Sequence, residues 1–190
     1  LPIYEGTILS PKSVLLPHLS TFTNKGSLQS NELLTITTSQ SLTNHPEGKL
    51  IGQSGVLLKA PGETVLNQGD IVSEKTVGIQ AAHINNAQLI SGINGVTLTP
   101  TQTLTQVSSG NVQSQEGTVH LKSSQLSLQG EVAGKTIELN SQGRSFSSQE
   151  VILSPLDTLT FQVPHGWDLK NTPQTLGHSV IVNGPLQNPS

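Results

Sequence analysis

The acidic side chains are the first candidates for chemistry in this chain. Two carboxylates a few ångströms apart can act as general acid and base, or can bind Ca²⁺. The chain carries twelve acidic residues. Phased by the repeat described below, the pairs that share a position are Asp70 with Glu131, Glu5 with Glu47, and Glu32 with Glu116, which lie three, two and four repeats apart. No two carboxylates share a position in neighbouring repeats, so we predict no acid/base pair.

The histidines give no metal-binding pattern either. The six are His18, His45, His83, His120, His165 and His178, and none forms an H-x-x-x-H pair. His120 stands between Val119 and Leu121, so we expect it on the outer face of a strand. No G-x-S-x-G nucleophile motif occurs, and GQSG (52–55) reads as a turn. We therefore predict no catalytic residue, no metal site and no cofactor.

The composition excludes several classes of protein. Only 11% of the 190 residues are charged, which argues against a coiled coil and against charge-driven disorder. A net charge of −3 without a Lys/Arg cluster predicts no nucleic-acid partner. No apolar run reaches the ~18 residues of a membrane helix, so no membrane span is predicted. The chain lacks Cys and Met and begins in mid-pattern at Leu1, so we expect a mature or excised segment.

A pattern of about twenty residues recurs along the chain and sets the positions of these side chains. Each unit has an apolar anchor, a small residue two positions later and an apolar residue about eight positions after the anchor, as in Leu28, Ser30 and Ile36. The predicted anchors are Ile8, Leu28, Leu50, Ile71, Leu89, Val112, Val132 and Ile152, which are 18 to 23 residues apart. Within the units, apolar residues alternate with polar ones, which indicates β-strands.

Such short strands bury their apolar side chains only when successive units stack on one another. We therefore predict an all-β fold, a right-handed parallel β-helix (solenoid) of about eight coils with a period of ~20 residues. A β-sandwich also has alternating strands, but its strands recur every ~8–12 residues. A leucine-rich horseshoe has this period but needs more leucines and a helical side to each unit.

Glycine and asparagine mark the turn before several anchors. Gly26, Gly48 and Gly69 each stand two residues before an anchor, where a positive φ or a close backbone approach is expected. Asn24, Asn44 and Asn67 precede these glycines, and we expect them to stack as a hydrogen-bonded amide ladder.

The resulting pattern, N-x-G-x-[LI]-x-[SG] followed by alternating apolar residues, resembles a known repeat family. Its clearest copies are NKGSLQSNELLTI (24–36), NQGDIVSEKTVGIQA (67–81) and, with an inserted turn, NHPEGKLIGQSGVLLKA (44–60). It is similar to the repeats of filamentous haemagglutinin, whose family comprises β-helical exoproteins exported by two-partner secretion in Gram-negative bacteria. The resemblance covers roughly residues 6–140. NNAQ (85–88) departs from it by lacking the turn glycine, and SSGN (108–111) shifts the glycine by one place.

The resemblance implies a structural and adhesive segment of a large exported bacterial surface exoprotein, a rod that displays or contributes to receptor binding. It implies a protein or glycan receptor on another cell, an outer-membrane transporter as secretion partner, and a location outside the cell or on its surface. Two alternatives stay open. One is a receptor-recognition segment of a contact-dependent growth inhibition effector. The other is a carbohydrate-active β-helix enzyme, which the spacing of the acidic residues disfavours.

The rhythm fails after Phe161, so we expect two regions: β-helix coils over 1–161, and an irregular excursion or cap over 162–190. HSVIVNG (178–184) predicts one further strand within the second region. The single tryptophan, Trp167, also lies there. It is expected either to cover the end of the stack or to contact a partner, since Trp is enriched at binding hot spots.

Overall fold

Parallel strand pairing connects every turn of the described chain to the next. The computed structural model describes residues 3–148, 151–162, 181–182 and 186–187. The strands are β1 Ile3–Tyr4, β2 Thr7–Ser10, β3 Val14–Leu19, β4 Phe22–Asn24, β5 Ser27–Ser30, β6 Leu33–Thr38, β7 Leu42–Asn44, β8 Lys49–Gly52, β9 Gly55–Asn67, β10 Asp70–Ser73, β11 Thr76–Asn86, β12 Leu89–Gly92, β13 Gly95–Leu98, β14 Thr103–Gln106, β15 Asn111–Leu128, β16 Glu131–Ser148, β17 Ile152–Gln162, β18 Ile181–Val182 and β19 Leu186–Gln187. Together they form a parallel β-solenoid of about seven turns with a period of ~21 residues, as predicted in kind.

Each turn contributes strand segments to three faces. The first face stacks β2, β5, β8, β10, β12 and the first parts of β15, β16 and β17. The second face stacks β3, β6, the first parts of β9 and β11, β13, the middle parts of β15 and β16, and the last part of β17. The third face stacks β1, β4, β7, the last parts of β9 and β11, β14, and the last parts of β15 and β16. The corners between faces absorb differences in turn length.

The core is a set of aliphatic columns that run along the axis, one or two from each face. The second-face column contains Leu16, Ile36, Leu58, Ile79, Leu98, Leu121, Leu139 and Phe161, as the spacing of eight residues predicts. Leu58, Ile79 and Leu98 are completely buried. Because strand residues alternate between faces, each column packs inward while its neighbours point outward. Burying one such side chain stabilises the fold by about 1.5–3 kcal/mol.

Six of the predicted anchors lie in one first-face column, and two predictions are wrong by one residue. The observed column is Ile8, Leu28, Leu50, Ile71, Ile90, Val112, Val132 and Leu153. Leu89 and Ile152 instead point outward, and Ile152 is 37% exposed whereas Leu153 is buried. With Ile90 and Leu153 in the column, successive members are 19–22 residues apart. At both positions two aliphatic residues are adjacent, and the predicted anchor was the outward-facing one.

This register predicts opposite outcomes for two adjacent substitutions. Ile90→Ala should lower the free energy of unfolding by about 2–5 kcal/mol, because it opens a cavity in a closed column. Leu89→Ala should lower it by less than about 1 kcal/mol, because that side chain is only partly buried. Urea unfolding of both variants measures the difference. Equal losses would show that the register at this turn is wrong.

The first turn is less covered than the rest. Ile8 is 40% exposed, whereas its neighbour Leu28 is 2% exposed. The reason is that β1, β2 and β3 each pair with a strand on one side only, among the residues described. At the other end, the predicted strand within 178–184 is present as β18, which pairs with the start of β17, and β19 pairs with its second half.

Candidate functional site

Buried amide side chains form a ladder along the corner that follows the third face. Asn24 Nδ2 donates to Asn44 Oδ1 (2.9 Å), Asn44 Nδ2 to Asn67 Oδ1 (3.0 Å), and Asn67 Nδ2 to Asn86 Oδ1 (2.9 Å). Asn86 Nδ2 continues to Gln106 Oε1 (2.8 Å). All five side chains are at most 3% exposed. The predicted amide ladder is therefore present, and every bond in it has the same direction.

Each asparagine of the ladder also donates to backbone carbonyls of its own turn and of the next. Asn44 Nδ2 lies within hydrogen-bond distance of Gly48 O (3.3 Å) and Asp70 O (3.1 Å), and Asn67 Nδ2 of Gly69 O and Leu89 O (both 3.0 Å). These carbonyls lie where the chain leaves one face for the next and the strand ladder is interrupted. Because an unpaired buried carbonyl is costly, the amides stabilise the corner as well as the stack.

Sequence reasoning missed the last two members of the ladder. The pattern pairs an asparagine with the turn glycine before an anchor, and neither Asn86 nor Gln106 meets it. Their spacing is the signal that finds them, since Asn86 is 19 residues after Asn67 and Gln106 is 20 residues after Asn86. Gln106 ends the ladder by donating to Gln129 O (2.9 Å) and Glu131 O (3.0 Å). The next residue in this column is the buried Leu128.

The three predicted turn glycines are required by close packing of the backbone. A Cβ on Gly26 would collide with Gly6 O, and one on Gly48 with Asn24 O. A Cβ on Gly69 would collide with Gly48 O and with His45 O. None of the three has a left-handed φ. Of the two reasons predicted for glycine here, close backbone approach is the one that applies.

Small residues occupy the corner between the first and second faces. Ser30 Oγ donates to Lys12 O (2.7 Å) and Ser114 Oγ to Ile93 O (3.3 Å), in each case the carbonyl of the preceding turn. The predicted small residues Ser91 and Ser154 are displaced by one, since Gly92 and Pro155 hold the corner. The corner between the first and second faces therefore also carries hydrogen bonds between successive turns.

The register confirms the phase of one of the predicted acidic pairs. Asp70 and Glu131 occupy one outward column, with Leu89 and Asn111 between them. On neighbouring strands, Asp70 faces Lys49 and Leu89, not another carboxylate. Within the described residues, no group of three or more His, Asp or Glu side chains could hold a metal ion. Neither Asp70 nor Glu131 is in register with a carboxylate on an adjacent turn.

Two histidines form exposed or half-exposed pairs with glutamates. His120 points outward, as predicted, and its Nδ1 lies 2.9 Å from Glu138 Oε2 on the next turn. His45 Nδ1 lies 2.6 Å from Glu47 Oε2 in the turn before β8. The hydrogen bond with His45 is the main cause that lowers the pKa of Glu47 below its ordinary value, and a backbone hydrogen bond adds to it. Both pairs are solvent-accessible and stabilise local turns weakly.

A groove of about 360 Å³ crosses the outer surface near the C-terminal end of the described stack. Its lining residues are Ser91, Ile93, Gln113, Ser114, Gln115, Ala133, Gly134, Ser154 and Leu156. Unequal corners produce it. Between its first and second faces, β15 uses three residues (115–117), β16 uses one (135) and β17 uses two (156–157). The short corner of β16 is thus recessed between two longer neighbours.

The floor and walls of the groove differ in chemistry. Ala133 and Gly134 form the floor because they have little or no side chain. The amides of Gln113 and Gln115 form one wall and make no side-chain hydrogen bond within the described part of the chain. Leu156, which is 73% exposed, lies on the opposite side. Sequence reasoning missed this site because it depends on comparing corner lengths between turns.

Most of the predicted C-terminal excursion, including Trp167, lies outside the described residues. The described residues contain no helix long and apolar enough to cross a membrane. No protein-family model, curated protein or solved structure matches the chain. The similarity to filamentous haemagglutinin repeats therefore stays a prediction from the sequence pattern.

Proposed function

We propose that this chain is a structural and adhesive rod segment of a large exported bacterial surface exoprotein. In this role the stack holds or contributes a receptor-binding surface at a distance from the cell. The proposal places the protein outside a Gram-negative cell or on its surface, with an outer-membrane transporter as its secretion partner. Its receptor is a protein or a glycan on another cell.

The unbroken register is the observation that carries this proposal. Each first-face column residue, from Ile8 to Leu153, pairs with the equivalent residue of the next turn. At ~4.8 Å per turn, about seven turns span roughly 35 Å. Because the described turns are bonded to their neighbours along two or three faces, and from Asn24 to Gln106 through buried amides as well, bending would break many bonds at once. Such a stack suits a rigid spacer.

The outer surface supports binding rather than catalysis. Outward positions on the third face carry hydroxyls and amides such as Thr23, Thr43 and Asn85. Surfaces of this kind make many weak hydrogen bonds to a partner, whereas hydrolysis of a polysaccharide needs two carboxylates at a set separation. On this proposal the chain turns over no polysaccharide, and a depolymerisation assay that detects product would contradict it.

Saturable cell binding tests the adhesive part of the proposal. The fluorescently labelled, purified chain is titrated onto epithelial cells and onto unrelated Gram-negative bacteria. We expect saturable binding to one of the two cell types, and unlabelled chain should compete for it. Binding only to bacteria would favour the growth-inhibition alternative over adhesion to a host.

Two controls separate specific recognition from surface stickiness. Heat-unfolded chain should lose the saturable component, because recognition requires the stacked face. Trp167→Ala, measured in parallel, tests the sequence-based expectation that this residue contacts a partner. Absence of saturable binding to either cell type would refute the adhesive role and would leave the segment as a spacer alone.

A further inference from the structure

We propose that the groove between β15, β16 and β17 is a binding site for a neutral oligosaccharide. This inference names the ligand class for the adhesive part of the proposed function and rests on that function. The groove is lined by residues that include Gln113, Gln115, Ala133, Ile93 and Leu156. Its volume of about 360 Å³ lies within the range of small-ligand sites.

The shape of the groove comes from a specific backbone feature. The register shifts between Ser114 and Thr118 in β15, and between Gly134 and Thr136 in β16. These shifts fall at the corner between the first and second faces, so they reflect the different corner lengths of successive turns. The three-residue corner of β15 includes Gln115, whereas the corner of β16 consists of Lys135 alone. The recess is thus part of the fold and does not depend on a flexible side chain.

The polar wall fits hydroxyl groups. A glutamine side chain offers two N–H donors and a carbonyl acceptor, so one amide can bond a donor and an acceptor of the same ligand. Gln113 and Gln115 have no side-chain partner within the described chain and are available for such bonds. Adjacent hydroxyls on a sugar ring present donors and acceptors at short spacing. Leu156 and Ile93 offer apolar contact to the C–H face of the same ring.

Charge argues against an anionic ligand. No Lys, Arg, Asp or Glu is among the lining residues of the groove. The nearest cation along the chain is Lys135, whose Nζ lies 4.0 Å from Asp157 Oδ2 on the exposed surface, so an anionic ligand would compete with Asp157 for it. A sulfated or sialylated glycan would therefore bury its charge without a paired cation, which is unfavourable.

Two other ligand classes fit less well. An extended peptide binds by adding a strand to an open sheet edge, but the strands under the groove are paired on both sides, β15 with β16 and β16 with β17. A purely apolar ligand would bury the amides of Gln113 and Gln115 without hydrogen bonds, which is unfavourable. A ligand that combines hydroxyls with C–H surface satisfies both walls.

The test is a titration of the whole chain, followed by NMR amide shifts and by calorimetry. The neutral probes are lactose, maltotriose and chitotriose, and the charged probes are sialyllactose and a heparin tetrasaccharide. Ala133→Arg fills the floor of the groove. Gln29→Arg is its matched control, because Gln29 occupies the same outward column several turns away. Gln113→Ala is a milder second variant in case Ala133→Arg does not fold.

We expect at least one neutral probe to bind saturably, with shifts confined to residues around the groove. Ala133→Arg and Gln113→Ala should weaken that binding at least tenfold, and Gln29→Arg should leave it unchanged. Binding of none of the three neutral probes, binding of the charged probes only, or equal binding by Ala133→Arg would each overturn the proposal. Saturable cell binding that the neutral probes do not inhibit would overturn the groove while leaving the adhesive function intact. If the chain binds a neutral probe in the groove but does not bind saturably to either cell type, the adhesive function is overturned and the groove is not.

Discussion

Replacing Asn44 with alanine is expected to lower the melting temperature by about 6–12 °C. The side chain is completely buried and takes part in four hydrogen bonds, one with Asn24, one with Asn67, and two with the carbonyls of Gly48 and Asp70. Alanine leaves these four groups short of a partner inside the stack. At about 1–3 kcal/mol per unpaired buried group, with partial relaxation, we expect a loss of about 3 kcal/mol. For a chain of this size, 1 kcal/mol corresponds to roughly 2–4 °C.

Two further variants show whether the hydrogen bonds or the volume matter. Thr43→Ala changes the adjacent, outward-facing residue and should alter stability by less than about 0.5 kcal/mol. Asn44→Leu restores the volume and copies Leu128, which holds this column position beyond the end of the ladder. It should still cost about as much as alanine, because the same partners stay unpaired. Calorimetric melting curves measure all three. If Asn44→Leu is as stable as the natural chain, the ladder fills space and its hydrogen bonds contribute little.

The repeat in the sequence predicted most of the solenoid because burial and spacing agree at most positions. In the second-face column every predicted residue is in register. The first-face errors fall at Leu89 with Ile90 and at Ile152 with Leu153, where either of two adjacent aliphatic residues fits the pattern. The same ambiguity exists at Leu50 with Ile51, where the predicted residue is the buried one. An alternation of period two identifies a face only when neighbours differ in polarity. At such positions, pairing with the turns above and below determines which residue is buried, and a single repeat unit does not contain that information.

The amide ladder was partly predicted for a related reason. The sequence pattern pairs each asparagine with a glycine that follows it, and Asn67 is the last asparagine that fits. In the structure the amide makes hydrogen bonds between turns, whereas the glycine allows the backbones of two turns to approach closely. Asn86 has the same bonds as Asn67 although no glycine follows it, because Gln88 N can still approach its Oδ1 (3.5 Å) and Gln88 O accepts from its Nδ2 (3.0 Å). Side-chain hydrogen bonds set the ladder, and backbone proximity sets the glycines.

The groove could not be predicted from any single unit. Its floor is recessed because the corner after Gly134 is shorter than the corners on both neighbouring turns. That comparison requires the register of three turns, which the sequence alone left uncertain at Ile152. Once the register is known, the length of each corner is the number of residues between two paired segments.

Replacing Gly69 with alanine is expected to lower the free energy of unfolding by about 3 kcal/mol. The new Cβ would collide with two carbonyl oxygens of the preceding turn, those of Gly48 and His45. Backbone atoms cannot rotate away as a flexible side chain can, so the two turns must separate. Separation would lengthen the bond from Asp70 N to Gly48 O (3.0 Å) and would disturb the contact of Asn44 Nδ2 with the same carbonyl. Overpacking of a close contact typically costs about 1–3 kcal/mol, and the lost hydrogen bond adds to it.

Gly78→Ala is the matched control and is expected to have the opposite sign. Gly78 lies in β11 without a left-handed φ, and a Cβ there would meet only Leu57 Cδ1 at 3.4 Å, an ordinary contact. The substitution should stabilise the chain by about 0.4–1 kcal/mol, because alanine reduces the conformational freedom of the unfolded state. Urea unfolding of the two variants compares a glycine held by neighbouring backbone with one that is not. If Gly69→Ala is stabilised as well, the turns at this corner do not pack as closely as the structure shows, and the corner glycines then reflect turn flexibility instead of the stacking distance.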